Sequence, residues 1–395
     1  MSNGQRFKKR VPGLRVGIRG AWRIGKIAGI QIGIHYTWLF AFLLITWSLA
    51  AGFFPQNFPD WSPVTYWITG ILASILLFVS VLLHELAHSI VGRSRGMEIN
   101  SITLFIFGGA SNLESEPEEP WDEFIMTVVG PVTSLIIAVA SWVLYLAMSD
   151  RSSPIAATLF YIAIINALLA GFNLLPGFPL DGGRVLRSIL WKTTGNLRQA
   201  TNIAATVGQV FAFILIAVGI LQFIMGNILG GLWITFIGWF LNGAAESSRG
   251  EVTLREHLRG VKVEEIIDRT PETIGSGMTV NELVRSHFLQ NGHRSALVVD
   301  GGQLHGIVTL SDVRKLPQED WEGMTVDTIM SPMPLQTVRS DEDLTTALKM
   351  LARNNLKQVP VMNDGELKGL LTTSDIIRYL QVSQELQLGG KDKAV

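Results

Sequence analysis

Cysteine is absent from the 395 residues, which excludes disulfides, thiolate metal sites and a cysteine nucleophile. Any metal must then be held by His, Asp or Glu. Charge is scarce too, but only locally. Residues 1–26 carry eight Lys/Arg and no Asp/Glu; residues 27–248 carry 19 charges in 222 positions, seven basic and twelve acidic; residues 249–395 carry 38 in 147. The net charge of −1 therefore conceals a basic head, a greasy middle and an ordinary soluble tail. Long apolar runs with so few charges belong in lipid, which excludes both a purely soluble enzyme and intrinsic disorder. With no basic excess beyond the head, nothing points to a nucleic-acid partner.

Crossing about 30 Å of hydrocarbon takes roughly 20 helical residues. Six stretches of the middle block are apolar enough for this: 32–54, 67–92, 124–147, 156–175, 207–225 and 228–244. Only Gly226 and Asn227 separate the last two, which predicts a tight helical hairpin. The first stretch is too long, and lies too far behind the basic head, for a cleaved signal peptide. Lys and Arg in short loops set orientation. The head (Arg6, Lys8, Lys9, Arg10, Arg15, Arg19, Arg23, Lys26), Arg93 and Arg95 after the second span, and Arg184, Arg187, Lys192 and Arg198 after the fourth are expected in the cytoplasm; the opposite loops hold only Arg151. Six spans place both termini in the cytoplasm. Ten of the eleven tryptophans precede residue 249, and Trp38, Trp61, Trp67 and Trp191 fall near predicted span ends, as interfacial anchors do.

The soluble tail contains a repeat. Leu297–Asp312 (LVVDGGQLHGIVTLSD) aligns without a gap on Pro360–Asp375 (PVMNDGELKGLLTTSD), offset by 63 residues. Each copy reads as strand, glycine turn, strand, then a helix starting near Ser-Asp. This resembles a tandem pair of CBS domains over 261–382, with copies at about 261–318 and 324–382. The resemblance implies an adenine nucleotide (ATP, ADP or AMP) between the copies, contacted by Thr309 and Asp312 and by Thr372 and Asp375, and a possible homodimer through the pair. The alternative for the two Asp residues is helix capping alone. The first copy has Leu297 where the second has Pro360, which departs from a symmetric site. The expected layout is a basic segment 1–26, a membrane domain 27–248, a linker 249–260, the CBS pair and a tail 383–395.

Chemistry is concentrated in His84-Glu85-Leu86-Ala87-His88, inside the second predicted span. Residues four apart share a helix face, so both imidazoles can reach one metal while Glu85 approaches a water beside it. Three ionisable side chains in a lipid span are costly unless they are paired or bind an ion. The other histidines (His35, His257, His287, His293, His305) have no comparable partners in sequence and read as interfacial or surface residues. Catalytic zinc usually takes three protein ligands. The positions where a metzincin has its Gly and third His are Val91 and Ser94, so the third ligand lies elsewhere. The candidates are the acidic cluster Glu114, Glu116, Glu118 and Glu119, or Asp181 in the run Asn173–Arg184 (NLLPGFPLDGGR), where prolines break the helix at membrane depth.

His84–His88 in a span, Phe107-Gly108-Gly109 after it, Gly130-Pro131 in the next span and the Asn173–Asp181 run together resemble the site-2 protease family of intramembrane metalloproteases, over about residues 20–245. The resemblance implies one Zn2+ held by His84, His88 and Asp181, Glu85 as general base and later proton donor, Asn173 helping to hold the scissile carbonyl or its oxyanion, and a membrane-spanning protein or peptide as substrate. Residues 101–109 (SITLFIFGG) read as an apolar strand ending in glycines, able to pair with an unwound substrate by edge addition or to pack only against its own hairpin. The fold expected is an α-helical polytopic membrane domain of six spans with a short membrane-associated β segment, followed by a soluble α+β tandem CBS domain. Two further readings remain at this level: a CBS-regulated transporter or channel, and a zinc-holding scaffold that cleaves nothing.

Overall fold

The computed structural model describes residues 21–106, 108–113, 117–258, 260–354 and 356–386. Most of the basic head, Phe107, Glu114, Glu116 and most of the tail after Ser383 lie outside the described residues. The chain divides into two compact units, one over residues 17–252 and one from Thr253 onward.

Six helices of the first unit are long and apolar enough to cross a membrane: Thr37–Asn57, Pro63–Ser94, Pro120–Ala147, Pro154–Asn173, Leu197–Ile224 and Ile228–Gly250. Their starts follow local capping rather than the edge of the apolar run. Ser62 and Ser153 accept hydrogen bonds from the backbone N–H of Thr65 and Ala156, each with proline at the next position, where a missing N–H costs nothing. The first span begins five residues later than expected because Ile30–His35 is a strand. Beyond the sixth span the helix continues to Leu258, so most of the expected linker is helical. The outward faces are apolar, for example Leu135, Ile136 and Val139. The inward faces are small or polar, as helices packing in lipid require. The third span buries Thr127, Gly130, Ser134, Ala138 and Ser141 on one stripe, and Thr46 donates to Ser74 and Asn166 to Ser80 between spans.

A four-stranded sheet accompanies these helices, in the order β1 (Ala21–Ile27), β2 (Ile30–His35), β3 (Ile99–Phe105), β4 (Gly108–Leu113). β1 and β2 form a hairpin whose turn residues Ala28 and Gly29 both have positive φ, the geometry that matches strand twist. β2 runs parallel to β3, with Gln31 opposite Ser101 and Ile34 opposite Leu104. β3 and β4 are antiparallel. The single strand expected over 101–109 is therefore two strands with a turn between them. β3 has a neighbour on both edges, so it cannot take a substrate strand; the free edge on that side belongs to β4. Ile30, Ile32 and Ile102 pack on Leu86, which seats the sheet on the turn of the second span that carries Glu85.

In the second unit the two repeats fold alike. β5 (Ser295–Asp300) pairs with β6 (Gln303–Thr309), and β7 (Gln358–Asn363) with β8 (Glu366–Thr372), Ser295 opposite Thr309 as Gln358 is opposite Thr372. Leu297, Ile307 and Leu370 share one cluster, and Ser295 Oγ donates to Gln358 Oε1 at 2.7 Å, so the copies meet at equivalent strands. Of the other histidines His257 is buried, against expectation, while the half-buried His287 and the exposed His293 both approach the carboxylate of Glu272.

Candidate active site

His84 and His88 lie one turn apart on the second span, and Asp181 opens the helix Asp181–Thr194 after the broken segment. That segment is held by its own contacts: Phe178 N–H donates to Ala204 O, and Phe178 is buried among Ala204, Ala205 and Ala245. The result brings three sequence-distant atoms together. His84 Nε2 and His88 Nε2 are 3.1 Å apart, and Asp181 Oδ2 lies 3.1 Å from the first and 3.2 Å from the second.

The outer nitrogens of both rings are already committed. His88 Nδ1 is 2.7 Å from the carbonyl oxygen of Met126, and His84 Nδ1 is 2.9 Å from Ser134 Oγ. A carbonyl can only accept, so the His88 proton sits on Nδ1 and Nε2 presents a lone pair. Such second partners are how proteins orient metal-binding imidazoles. Gly130 supplies the space: a Cβ there would fall 2.1 Å from His88 Nε2 and 2.8 Å from His84 Nε2. Converging nitrogen and carboxylate donors, a fixed tautomer and a cradle open only to glycine fit a tetrahedral Zn2+ site with a position left over. Among the described residues, this is the one group of three such side chains close enough to hold an ion.

Glu85 does not join the triad. It lines a cavity of about 260 Å³ together with His88, Asp181, Arg184, Met126 and Gly109. A Cβ on Gly109 would fall 2.4 Å from Glu85 Cγ, so β4 lies directly against this carboxylate. Of the rival third ligands, Glu118 and Glu119 are exposed and do not line the cavity. Asn173 donates its side-chain N–H to Leu169 O at 3.0 Å and does not line the cavity either. In the CBS unit, Asp312 Oδ2 accepts from Thr309 N–H and Oγ1 at 3.1 and 2.7 Å, and Asp375 Oδ2 from Thr372 N–H and Oγ1 at 3.1 and 2.6 Å.

Sequence reasoning missed three contributors. Ser134 and Met126 support the imidazoles, and the small-residue stripe of the third span was the signal for them. The third is Arg187, read from its charge as a cytoplasmic loop residue. It is buried instead, its Nε donating to Glu123 Oε1 at 2.8 Å and its guanidinium lying 5.1 Å from the Phe178 ring centre. This pair ties the helix that carries Asp181 to the third span.

Comparison with known proteins adds independent findings. The family model described as Peptidase family M50 matches residues 72–152 and 149–216, and that of the CBS domain matches 263–319 and 326–382. A Synechocystis sp. protein, named by inference as a zinc metalloprotease, is 35% identical, the match covering 91% of this chain and 96% of its own. A zinc metalloprotease of Methanocaldococcus jannaschii is 31% identical over 92% of this chain and 98% of its own. A solved site-2 protease from that organism aligns at 30% identity over 58% of this chain and 95% of its own, with a TM-score of 0.41.

Proposed function

The chain belongs to peptidase family M50, the site-2 proteases, and on that premise we propose how its residues divide the work of cutting a peptide bond within the membrane. It is an integral-membrane zinc metalloprotease with a tandem CBS pair. In this reading His84, His88 and Asp181 hold the zinc. The observation that carries it is the convergence of His84 Nε2, His88 Nε2 and Asp181 Oδ2 with both outer ring nitrogens engaged elsewhere.

Zinc bound there polarises the scissile carbonyl and makes water nucleophilic near neutral pH. Glu85 takes the proton that water loses as its oxygen attacks the carbonyl carbon, and hands it to the departing amine nitrogen. Ser134 and Met126 hold the imidazoles in the required orientation. The substrate is a membrane-spanning protein or peptide, cleaved near the cytoplasmic face, with both termini of the enzyme on that side. Its carbonyls are shielded while helical, so the segment must unwind, and the free edge of β4 beside Glu85 offers it backbone partners. The CBS pair takes an adenine nucleotide at Thr309, Asp312, Thr372 and Asp375, forms a homodimer contact, and modulates cleavage by about 5- to 150-fold, the usual range of coupling between sites.

The test is Glu85→Gln in the full-length protein, assayed on a membrane-spanning peptide. Cleavage should fall by about 10²–10⁴-fold, the worth of a general base, with zinc content unchanged because Glu85 is not a ligand. Retained turnover, or zinc lost with Glu85, refutes the assignment.

A further inference from the structure

Three cations lie on the helix Asp181–Thr194, and the structure treats them differently. Arg187 is buried and paired with Glu123. Lys192 lies with its ammonium 5.3 Å from the ring centre of Trp121. Arg184 lines the cavity shared by Glu85, His88 and Asp181; among the described residues no hydrogen bond or close ion pair ties down its guanidinium, whose charge is felt by Glu85. Residues three apart share a helix face. The turn that presents Asp181 to the histidines therefore also brings Arg184 to the cavity. A guanidinium carries five donors and is always charged; held half-buried beside the Glu85 carboxylate with none of those donors used, it is costly unless a ligand completes them.

Hydrolysis supplies such a ligand. As the water oxygen bonds to the carbonyl carbon, the π pair of the C=O moves onto the carbonyl oxygen, which becomes an oxyanion, and Glu85 takes the proton. On collapse the pair returns, the C–N bond breaks and the amine nitrogen leaves with its pair and that proton. A donor aimed at this oxygen is worth most in a site with little water. Asn173, the amide first expected there, spends one of its two side-chain N–H donors on Leu169 O and does not line the cavity.

We propose that Arg184 is a catalytic residue whose guanidinium donates to the scissile carbonyl oxygen and stabilises the oxyanion. The assignment rests on the protease reading above. Arg184 forms no covalent bond and ends the cycle unchanged.

The experiment uses the full-length zinc-loaded protein with Arg184→Gln, Arg184→Lys and, as a control on the same helix with the same loss of charge, Lys192→Gln. Arg184→Gln should lower kcat by about 10²–10³-fold, the range for removing one oxyanion donor, with KM nearly unchanged. Affinity for a phosphinic peptide, whose tetrahedral anion mimics the intermediate, should fall by a similar factor, because such analogues report transition-state contacts. Arg184→Lys should recover part of the rate, keeping the charge but not the planar fork. Lys192→Gln should match wild type, and all variants should keep zinc and melting temperature. Unimpaired kcat and phosphinate affinity in Arg184→Gln overturn the proposal. So does a rate that returns to the wild-type value at higher pH, which makes Arg184 a counter-ion of Glu85, or loss of zinc, which makes it structural. A wild type that holds zinc and cleaves nothing overturns the protease reading and this role with it; a cleaving wild type with an unimpaired variant overturns this role alone.

Discussion

Carboxylates sit at the centre of both units, but they are satisfied in opposite ways. Asp181 meets two imidazole nitrogens from a span almost a hundred residues away, and at least one of them presents a lone pair, so nothing in the protein alone completes the cluster. Asp312 and Asp375 each turn back three residues to a threonine, so one oxygen of each carboxylate is satisfied within its own copy. The first arrangement is held together by the fold and needs an ion. The second is local, and a ligand there has to compete with contacts already made.

Breaking the first arrangement should have the largest effect. Asp181→Ala should abolish both zinc retention and cleavage, because two imidazoles alone leave the ion short of the three protein ligands a catalytic site takes. Simultaneous Ala at Glu114, Glu116, Glu118 and Glu119 should keep both. Metal analysis of the purified proteins decides it, and the reverse pattern would return the acidic cluster to the site.

Much of this was legible in the sequence, and what was not has physical causes. The six spans announce themselves because lipid demands long apolar helices. The histidine turn proposed to hold the metal was legible because spacing on one helix is local. Residues 32–35 of the strand Ile30–His35 read as the start of the first span, since their apolar side chains continue the run; only pairing with β3, some seventy residues away, makes them a strand. The same holds for β4, whose glycines read as the end of a strand until its own pairing with β3 is seen. Charge gives a residue's sign and not its partner, so Arg187 looked like a cytoplasmic anchor while its burial against Glu123 was invisible.

Arg187 provides the next effect in size and tests how much of the site is held by the fold. Arg187→Met leaves Glu123 buried and unpaired, and breaking one side of a buried pair costs about 3–5 kcal/mol. The variant should melt earlier and lose zinc more readily, since the helix carrying Asp181 is no longer tied to the third span. Pairing it with Glu123→Leu should recover most of the stability, because an apolar pair of similar volume removes the uncompensated charge. Thermal unfolding of the single and double variants measures the difference. If the double variant is no better than the single, the loss comes from packing against Phe178 instead of from the charge.

The smallest effects belong to the CBS copies, where one oxygen of each carboxylate is already satisfied. Asp375→Ala removes the acceptor for Thr372 N–H and Oγ1, and with about 0.5–1.5 kcal/mol net per hydrogen bond the cost should be about 1–2 kcal/mol. Amide hydrogen exchange in the helix Thr373–Glu385 should therefore quicken by roughly tenfold, while zinc and basal cleavage stay unchanged. The first copy adds a pH dependence. Burial pushes the Asp312 carboxyl up, but the Lys315 ammonium at 2.8 Å and the donors of Thr309 outweigh it and hold the group below its ordinary value. A depressed carboxylate contributes stability that is fully present above the unfolded value of about 3.9 and fades as pH falls through the folded one. Acid should thus loosen the first copy only below about pH 4, and Lys315→Ala should shrink the stability lost there while leaving that onset in place. A nucleotide that hydrogen-bonds these carboxylates loses an acceptor in either variant, so its affinity should fall in both Asp312→Ala and Asp375→Ala. If affinity is unchanged while exchange still quickens, the two Asp residues cap helices and nothing more, and the contrast between the units becomes one of metal site against scaffold.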